Sequence, residues 1–313
     1  MTNSPIARLG ILTTALIALP AFSFAGEPAK EMKTVVEKAK ESCITGDLGI
    51  NVVSQYISRG VIFENQGGIF EPYADLYFRL YEGEGFLNKI TLNLGIWNSF
   101  HSRKTDAGLV NGSGTSSTRS WYEFDFTPGF SFTFAKNFTF TPSYYMFLSP
   151  NDGFSTFQGL NLALAYDTTD VFGFNLAPKV QVLFELENKA GTGADEGVYY
   201  EVSIAPSFKI AEGLTITFPI GAGFGSSDFY GSLDSSTGLI EDESFGFVTG
   251  GVTLSYALAF VPECLGSWTV SAGYAFYYLG DGTADFNTEA RGGLVRDYSE
   301  HEHIFSGGLV VTF

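Results

Sequence analysis

Residues 122–134 read Tyr-Glu-Phe-Asp-Phe-Thr-Pro-Gly-Phe-Ser-Phe-Thr-Phe, and nearly every second side chain in this stretch is an aromatic ring. The positions between the rings hold Glu123, Asp125 and small or hydroxyl-bearing residues. A period of two places alternate side chains on opposite faces of a β-strand. The stretch therefore predicts a strand with one apolar face and one polar face.

The same alternation recurs along the chain and predicts about twelve strands. They lie near 48–60, 70–80, 89–96, 122–134, 138–148, 158–166, 174–187, 198–210, 214–225, 248–260, 268–279 and 303–313. Short connections alternate with longer ones rich in Gly, Ser and Asp. An even strand count with this asymmetry is typical of bacterial outer-membrane barrels. We expect an all-β fold, a closed antiparallel transmembrane β-barrel over residues 44–313.

Composition explains why the apolar face must contact lipid. The 313 residues are 45% hydrophobic, 16% aromatic and only 16% charged, yet they contain no apolar run of membrane-helix length. A helical membrane protein is therefore excluded, whereas a closed barrel satisfies every backbone hydrogen bond inside hydrocarbon. The formal charge of -17 argues against nucleic acid as a partner.

The N-terminal residues differ from the rest of the chain. Residues 1–25 have the features of a cleaved secretory signal peptide, with an apolar segment at 11–19 and a small-x-small site before residue 26. Residues 26–43 form a predicted periplasmic segment, in which apolar residues between Met32 and Ala39 have the spacing of a short helix. A solvated linker is the alternative for this segment. Export of this kind indicates the outer membrane of a Gram-negative bacterium.

Five prolines fall within or next to the predicted strands: Pro128, Pro142, Pro178, Pro206 and Pro219. Proline cannot donate a ladder hydrogen bond, and every strand of a closed barrel is paired on both sides. We therefore expect bulges or bends at these positions, near the periplasmic rim.

Two stretches resemble known families. Residues 308–313, ending in Phe313, resemble the C-terminal targeting signature of outer-membrane proteins, which implies recognition by the barrel assembly machinery. Residues 46–60 resemble the opening of an uncharacterised Gram-negative envelope family, a porin-like barrel whose first strand ends Tyr-x-x-Arg-Gly. Tyr56, Arg59 and Gly60 hold these positions, and the resemblance implies a location and a fold rather than a substrate.

The polar face of each strand places ionisable side chains in the predicted lumen. The acidic ones fall toward the outer half or the middle: Glu71, Asp75, Glu123, Asp125, Glu185, Glu187, Glu201 and Glu302. Arg59 is the main cation among them. The other basic residues fall toward the periplasmic half: Arg79, Lys89, Lys179 and Lys209. We therefore expect an acidic mouth above a basic floor.

This distribution predicts a pore or facilitator for passive passage of small solutes, with a weak cation preference at the mouth. The alternative is a structural or surface-interaction barrel that does not conduct, because inward charges can pair and fill a small barrel. Arg59 could then bridge Glu71 and Glu302 on the two strands that flank the first. No cofactor is expected.

A lipolytic enzyme is a weaker hypothesis. His303 lies on the lipid-facing side of the last predicted strand, whereas His101 and His301 are expected in loops. No convincing Ser and Asn partners accompany His303, so we do not expect an enzyme.

Two further groups carry weaker signals. Asp281, Asp285, Asn287 and Glu289 supply oxygen ligands without the calcium-loop pattern, so a solvated acidic loop is favoured and no metal is expected. Cys43 and Cys264 are both expected at the periplasmic end, where one disulfide between them is possible in an oxidising compartment.

Overall fold

The computed structural model describes residues 42–65, 67–102, 120–193, 195–234, 237, 239–287 and 300–313. The predicted signal peptide and nearly all of the predicted N-terminal segment lie outside these residues. Among the residues described, no helix is both long enough and apolar enough to cross a membrane.

The described residues form a closed antiparallel barrel of twelve strands, which confirms the predicted fold. The strands are β1 Ile44–Val53, β2 Ile69–Glu82, β3 Leu87–His101, β4 Trp121–Phe134, β5 Phe138–Leu148, β6 Phe157–Tyr166, β7 Lys179–Glu187, β8 Val198–Ile204 with Ser207–Ala211, β9 Leu214–Thr217 with Ile220–Gly225, β10 Phe245–Ala257, β11 Ser267–Leu279 and β12 His301–Thr312. Each pairs with its neighbours in sequence, and β12 pairs with β1 from Asp47–Thr312 to Val53–Ser306. Reciprocal backbone hydrogen bonds of 2.9 and 3.0 Å between Gly46 and Phe313 extend this seam.

Shorter elements lie in the connections. Helix α1 at Thr169–Phe172 and a 3-10 turn at Glu263–Leu265 belong to one end of the barrel. At the other end lie helix α2 at Asp281–Asp285 and two hairpins. The inner hairpin consists of Tyr56–Ser58 and Val61–Glu64, and the loop hairpin of Tyr230–Asp234 and Leu239–Glu243. We call the end that carries the longer connections the outer end, following the rule for bacterial barrels.

The two faces of the barrel wall differ as the alternation predicts. On the outside, Ile96, Phe130 and Leu160 are exposed apolar side chains. On the inside, Asp125 and Asn161 are buried polar side chains. This pattern is the reverse of that of a water-soluble domain, and it is stable only if lipid covers the outside.

The prolines affect the strands unequally. Pro206 and Pro219 stand in the gaps that divide β8 and β9, and a hydrogen bond of 3.0 Å from Phe218 N to Pro206 O connects the two gaps. Pro128 and Pro142 lie within the unbroken strands β4 and β5. Pro178 precedes β7. The predicted irregularity is therefore a break at the β8–β9 pair, and the β4–β5 ladder skips Thr127 and Pro128.

A bulge in β4 changes the direction of Tyr122. Ser99 pairs with Glu123 and Phe100 pairs with Trp121, so Tyr122 is an extra residue in the ladder. Tyr122 is 2% exposed and faces the inside, next to Glu123. The alternation had placed Tyr122 on the lipid face, because a sequence pattern does not register an inserted residue.

Candidate functional site: an arginine hairpin inside the barrel

The first strand is shorter than predicted. β1 ends at Val53, and the following residues fold into the lumen as the inner hairpin. Ile57, Val61 and Ile62 are 1%, 0% and 0% exposed. The run Val61-Ile62-Phe63 is apolar at consecutive positions, and this break in the alternation was the signal in the sequence that a lipid-facing strand had ended.

The hairpin turns at Arg59 and Gly60, whose φ angles are 51° and 86°. Two consecutive left-handed residues are typical of the tight type I′ turn, which strongly favours glycine at its second position. A Cβ on Gly60 would also lie 2.9 Å from Thr283 Cγ2. Glycine is therefore required here both by the backbone and by the neighbouring helix α2.

The base of the hairpin is held by Tyr56. Its hydroxyl donates a hydrogen bond of 2.8 Å to Glu123 Oε2. Its ring lies 5.1 Å from the Phe63 ring and 5.4 Å from that of Trp97 on β3. These contacts fix the hairpin against the β3–β4 wall.

His101 takes part in the same wall, although the sequence placed it in a loop. It is the last residue of β3 and is 2% exposed. Its Nε2 atom lies 2.8 Å from Ser99 Oγ. Its ring stacks on Tyr122 at 4.6 Å. The buried Ser99–His101 contact supports the packing around Tyr56.

The tip of the hairpin carries Arg59 into the space between two walls. Its guanidinium carbon lies 5.4 Å from the centre of the Phe147 ring on β5 and 5.7 Å from that of Tyr199 on β8. The carboxylates of Glu123 and Glu185 interact with Arg59 electrostatically. We call these four residues, Phe147, Tyr199, Glu123 and Glu185, the arginine cage.

The hairpin tip is also bonded to the long connections. Tyr230 Oη donates to Arg59 O at 2.8 Å. Asn287 donates from Nδ2 to Gly60 O and accepts from Ile62 N, both at 2.9 Å. We call these three hydrogen bonds the tip latch. They give Asn287 a structural partner in place of the calcium ion considered from the sequence.

The structure places most of the predicted acidic residues on the inner face. Glu71 is partly exposed there. The buried members, with their exposed fractions, are Asp75 3%, Glu123 5%, Asp125 1%, Glu185 8%, Glu201 8% and Glu302 4%. Carboxylates from β2, β4, β7, β8 and β12 therefore surround the lumen.

Two of these carboxylates have well-defined partners. Glu185 accepts hydrogen bonds from the backbone N–H groups of Ala190, Gly191 and Gly197, at 2.5, 3.2 and 2.6 Å. Glu201 accepts from Tyr199 Oη at 2.7 Å and from Gln181 Nε2 at 3.2 Å. Glu185 thus folds the 188–197 connection inward, which sequence reasoning did not foresee.

Glu187 faces the outside of the barrel and not the lumen. A register shift between Gln158 and Gly159 on β6 falls opposite Leu186, which is exposed. Glu187 accordingly joins the outward face, where Gln158 Nε2 donates to it. The prediction for Glu187 was wrong because the bulge reverses the alternation.

The basic residues occupy two levels. Arg59 lies in the hairpin and not on β1, so the expected bridge from β1 to its flanking strands does not apply. Arg79 forms an ion pair of 2.7 Å with Glu82 at the periplasmic end. Lys89 and Lys179 are partly exposed near the same end, and Lys209 is exposed.

The remaining candidate residues are two histidines, an acidic group and two cysteines. His301 and His303 lie on β12 and are exposed, and His303 Nδ1 is 2.8 Å from Tyr274 Oη. Within the described part of the chain, no group of three or more His, Cys, Asp or Glu residues could hold a metal, and Glu289 lies outside that part. Cys43 and Cys264 are exposed free thiols in the structure, without the disulfide that the sequence made possible.

The chain is similar to several solved structures of outer-membrane proteins. No model of a known protein family matches the chain, and no characterised sequence matches it. An outer-membrane channel from Pseudomonas putida F1 is 11% identical over 88% of this chain and 97% of its own, with a TM-score of 0.47. The NanC porin is 10% identical over 84% and 98%, with a TM-score of 0.43. The outer-membrane channel DcaP of Acinetobacter baumannii is 9% identical over 86% and 96%, with a TM-score of 0.38. The assignment of the fold rests on the strand pairing described above.

Proposed function

We propose that the protein is an outer-membrane channel for small solutes, with a weak preference for cations, and that the inner hairpin narrows its outer half. The observation that carries this proposal is the ring of inward carboxylates with an arginine hairpin among them. Carboxylates around a confined lumen raise the local concentration of cations and lower that of anions.

The wall nearer the periplasmic end supports a solute path. Small polar side chains bond to one another along the wall, as in Asn93 Nδ2 to Ser131 Oγ at 2.7 Å and Ser131 Oγ to Thr141 Oγ1 at 3.1 Å. Thr141 and Ser143 are partly exposed on the inner face. Short side chains that bond within the wall extend little toward the axis, whereas a barrel interior that serves only as a core would be filled by larger apolar groups.

The apolar outside supports the membrane location. Lipid is the solvent that makes a belt of exposed Ile, Leu and Phe side chains favourable. We place the barrel in the outer membrane of a Gram-negative bacterium, delivered by assembly machinery that recognises the strand ending at Phe313. The signal peptide predicted at residues 1–25 would direct its export.

A non-conducting barrel is the second candidate, and a specific observation favours it. The outer half of the interior contains a packed apolar cluster in which Ile62, Phe229 and Phe247 are all 0% exposed. If this packing is permanent, the inner hairpin is a plug.

Current measurements in planar bilayers distinguish the two candidates. Purified protein should conduct in a salt gradient, with a reversal potential displaced toward that of the cation. A variant in which a Gly-Ser linker replaces residues 56–64 should conduct more. The control carries the same kind of replacement in the periplasmic turn 84–86 and should match the original protein.

The two candidates predict different currents. Absence of current through both the original protein and the variant without the hairpin would refute the channel. Absence of current through the original protein, with current through the variant, would support a permanent plug.

A further inference from the structure

We propose that the arginine cage is a binding site for a solute bearing a guanidinium or amine group, and that Arg59 occupies this site as a tethered ligand when the hairpin is docked. The consequence for transport rests on the proposed channel function. The binding itself does not depend on it.

The geometry of Arg59 defines the chemical class of the ligand. Phe147 and Tyr199 belong to strands separated by two others, and both rings lie within 5.7 Å of the guanidinium carbon. A planar delocalised cation is attracted to aromatic faces by the ring quadrupole, and guanidinium is less strongly hydrated than an ammonium ion. The site therefore favours guanidinium over alkyl ammonium and excludes anions.

The charge of the cage fits the same class. Arg59 is 7% exposed, and a buried cation requires opposite charge close by. Glu123 and Glu185 supply it from two different strands. A neutral molecule of the same shape would leave these carboxylates without a cation.

Three of the four cage residues are held by contacts that do not involve the hairpin, whereas Glu123 accepts a hydrogen bond from Tyr56 at the base of the hairpin. The backbone N–H groups of the 188–197 connection fix Glu185. Tyr199 is oriented by its hydrogen bond to Glu201 and by the Phe229 ring at 5.3 Å. Phe147 stacks on Phe157 at 5.0 Å. Most of the site thus persists when Arg59 leaves, and a preorganised site loses less free energy on binding.

A free solute and Arg59 compete for one place. Because Arg59 is tethered by a short chain segment, its effective concentration at the cage is on the order of millimolar. A cationic solute at a comparable concentration would displace it and weaken the docking of the hairpin. Solute binding would then widen the outer half of the lumen.

Binding to an emptied cage tests the proposal. Calorimetry in detergent would measure the affinity of methylguanidinium for the original protein and for Arg59→Ala, with neutral methylurea as the control ligand. We expect Arg59→Ala to bind methylguanidinium at least tenfold more tightly than the original protein does. Adding Phe147→Leu should weaken this binding at least threefold. Arg79→Ala, which removes an arginine at the periplasmic end, should bind as the original protein does.

Equal affinity of Arg59→Ala and the original protein, or equal affinity for methylguanidinium and methylurea, would overturn the proposal. If Arg59→Ala does not fold, labelling replaces it. A protein with Ile62→Cys, Cys43→Ser and Cys264→Ser should react with a thiol reagent faster in methylguanidinium than in methylurea, and equal rates would overturn the proposal. Neither measurement requires current, so a failed cage and a failed channel give different results.

Discussion

Replacing Gly60 by alanine should undock the inner hairpin. An L-residue in the left-handed region costs about 1–2 kcal/mol. The new Cβ would lie 2.9 Å from Thr283 Cγ2 and 3.2 Å from Gly246 O. Thr283 cannot easily turn away, because the one hydrogen of its hydroxyl is shared between two backbone acceptors, Gly246 O at 2.7 Å and Gly280 O at 2.9 Å. Overpacking of this kind costs about 1–3 kcal/mol.

The two penalties together amount to about 2–5 kcal/mol against the docked hairpin, if the undocked chain relaxes fully. At about 1.4 kcal/mol for each factor of ten, the ratio of docked to undocked protein should fall by roughly 30-fold to a few thousand-fold. The tip latch would be lost together with the glycine turn, because all three of its hydrogen bonds lie within two residues of Gly60.

Two measurements check this expectation. The mean current through Gly60→Ala in planar bilayers should exceed that through the original protein. A cysteine at position 62, in a background without Cys43 and Cys264, should react faster with a thiol reagent. The matched control is Gly85→Ala in a periplasmic turn, where an added Cβ meets no atom within 4 Å. If Gly60→Ala and Gly85→Ala behave alike in both assays, the reasoning about the turn is wrong.

Three further predictions concern other parts of the molecule. Leu162 lies near the middle of β6 on the outer face, so Leu162→Arg should lower the free energy of unfolding in lipid by about 2–4 kcal/mol. Ala163→Ser on the inner face should change this free energy little. Urea titration in liposomes measures both variants. Cys43 and Cys264 should both react with maleimide without reductant, and a mass showing no adduct until reduction would demonstrate a disulfide. Burial and the carboxylates of Asp281 and Glu241 raise the pKa of Glu243. The folded loop hairpin therefore holds the proton of Glu243 more tightly than the unfolded chain does. As a result, the hairpin gains stability as the pH falls through that pKa. Glu243→Gln should therefore slow hydrogen exchange of this hairpin, relative to the original protein, at pH 7 and have little effect at pH 4. An equal effect of the substitution at both pH values would contradict the assignment.

Much of the barrel could be predicted because lipid imposes a strict rule. The lipid-facing side chains of a membrane strand are mostly apolar, so stretches such as 124–134 specify both the strand and its faces. The alternation located all twelve strands, including the last one up to Phe313. Strand boundaries were less accurate, since β1 ends at Val53 and not near residue 60.

Two side chains were assigned to the wrong face for one physical reason, which is an inserted residue. At Tyr122 and at Leu186 a bulge adds one position to a ladder, and the following side chains change faces. An extra residue leaves the composition of the stretch unchanged, so Tyr122 and Glu187 were assigned to the wrong sides. Only pairing with the neighbouring strand shows which residue is extra.

The sequence by itself determined the architecture and the polarity of this protein, because both depend on side chains one or two positions apart. It also identified Arg59 as the main cation among the acidic residues of the outer half. The tertiary structure decided where that cation lies, in a cage formed by Phe147, Tyr199, Glu123 and Glu185. These residues are far from Arg59 in sequence, and they meet it only because the barrel closes and the inner hairpin folds into its lumen.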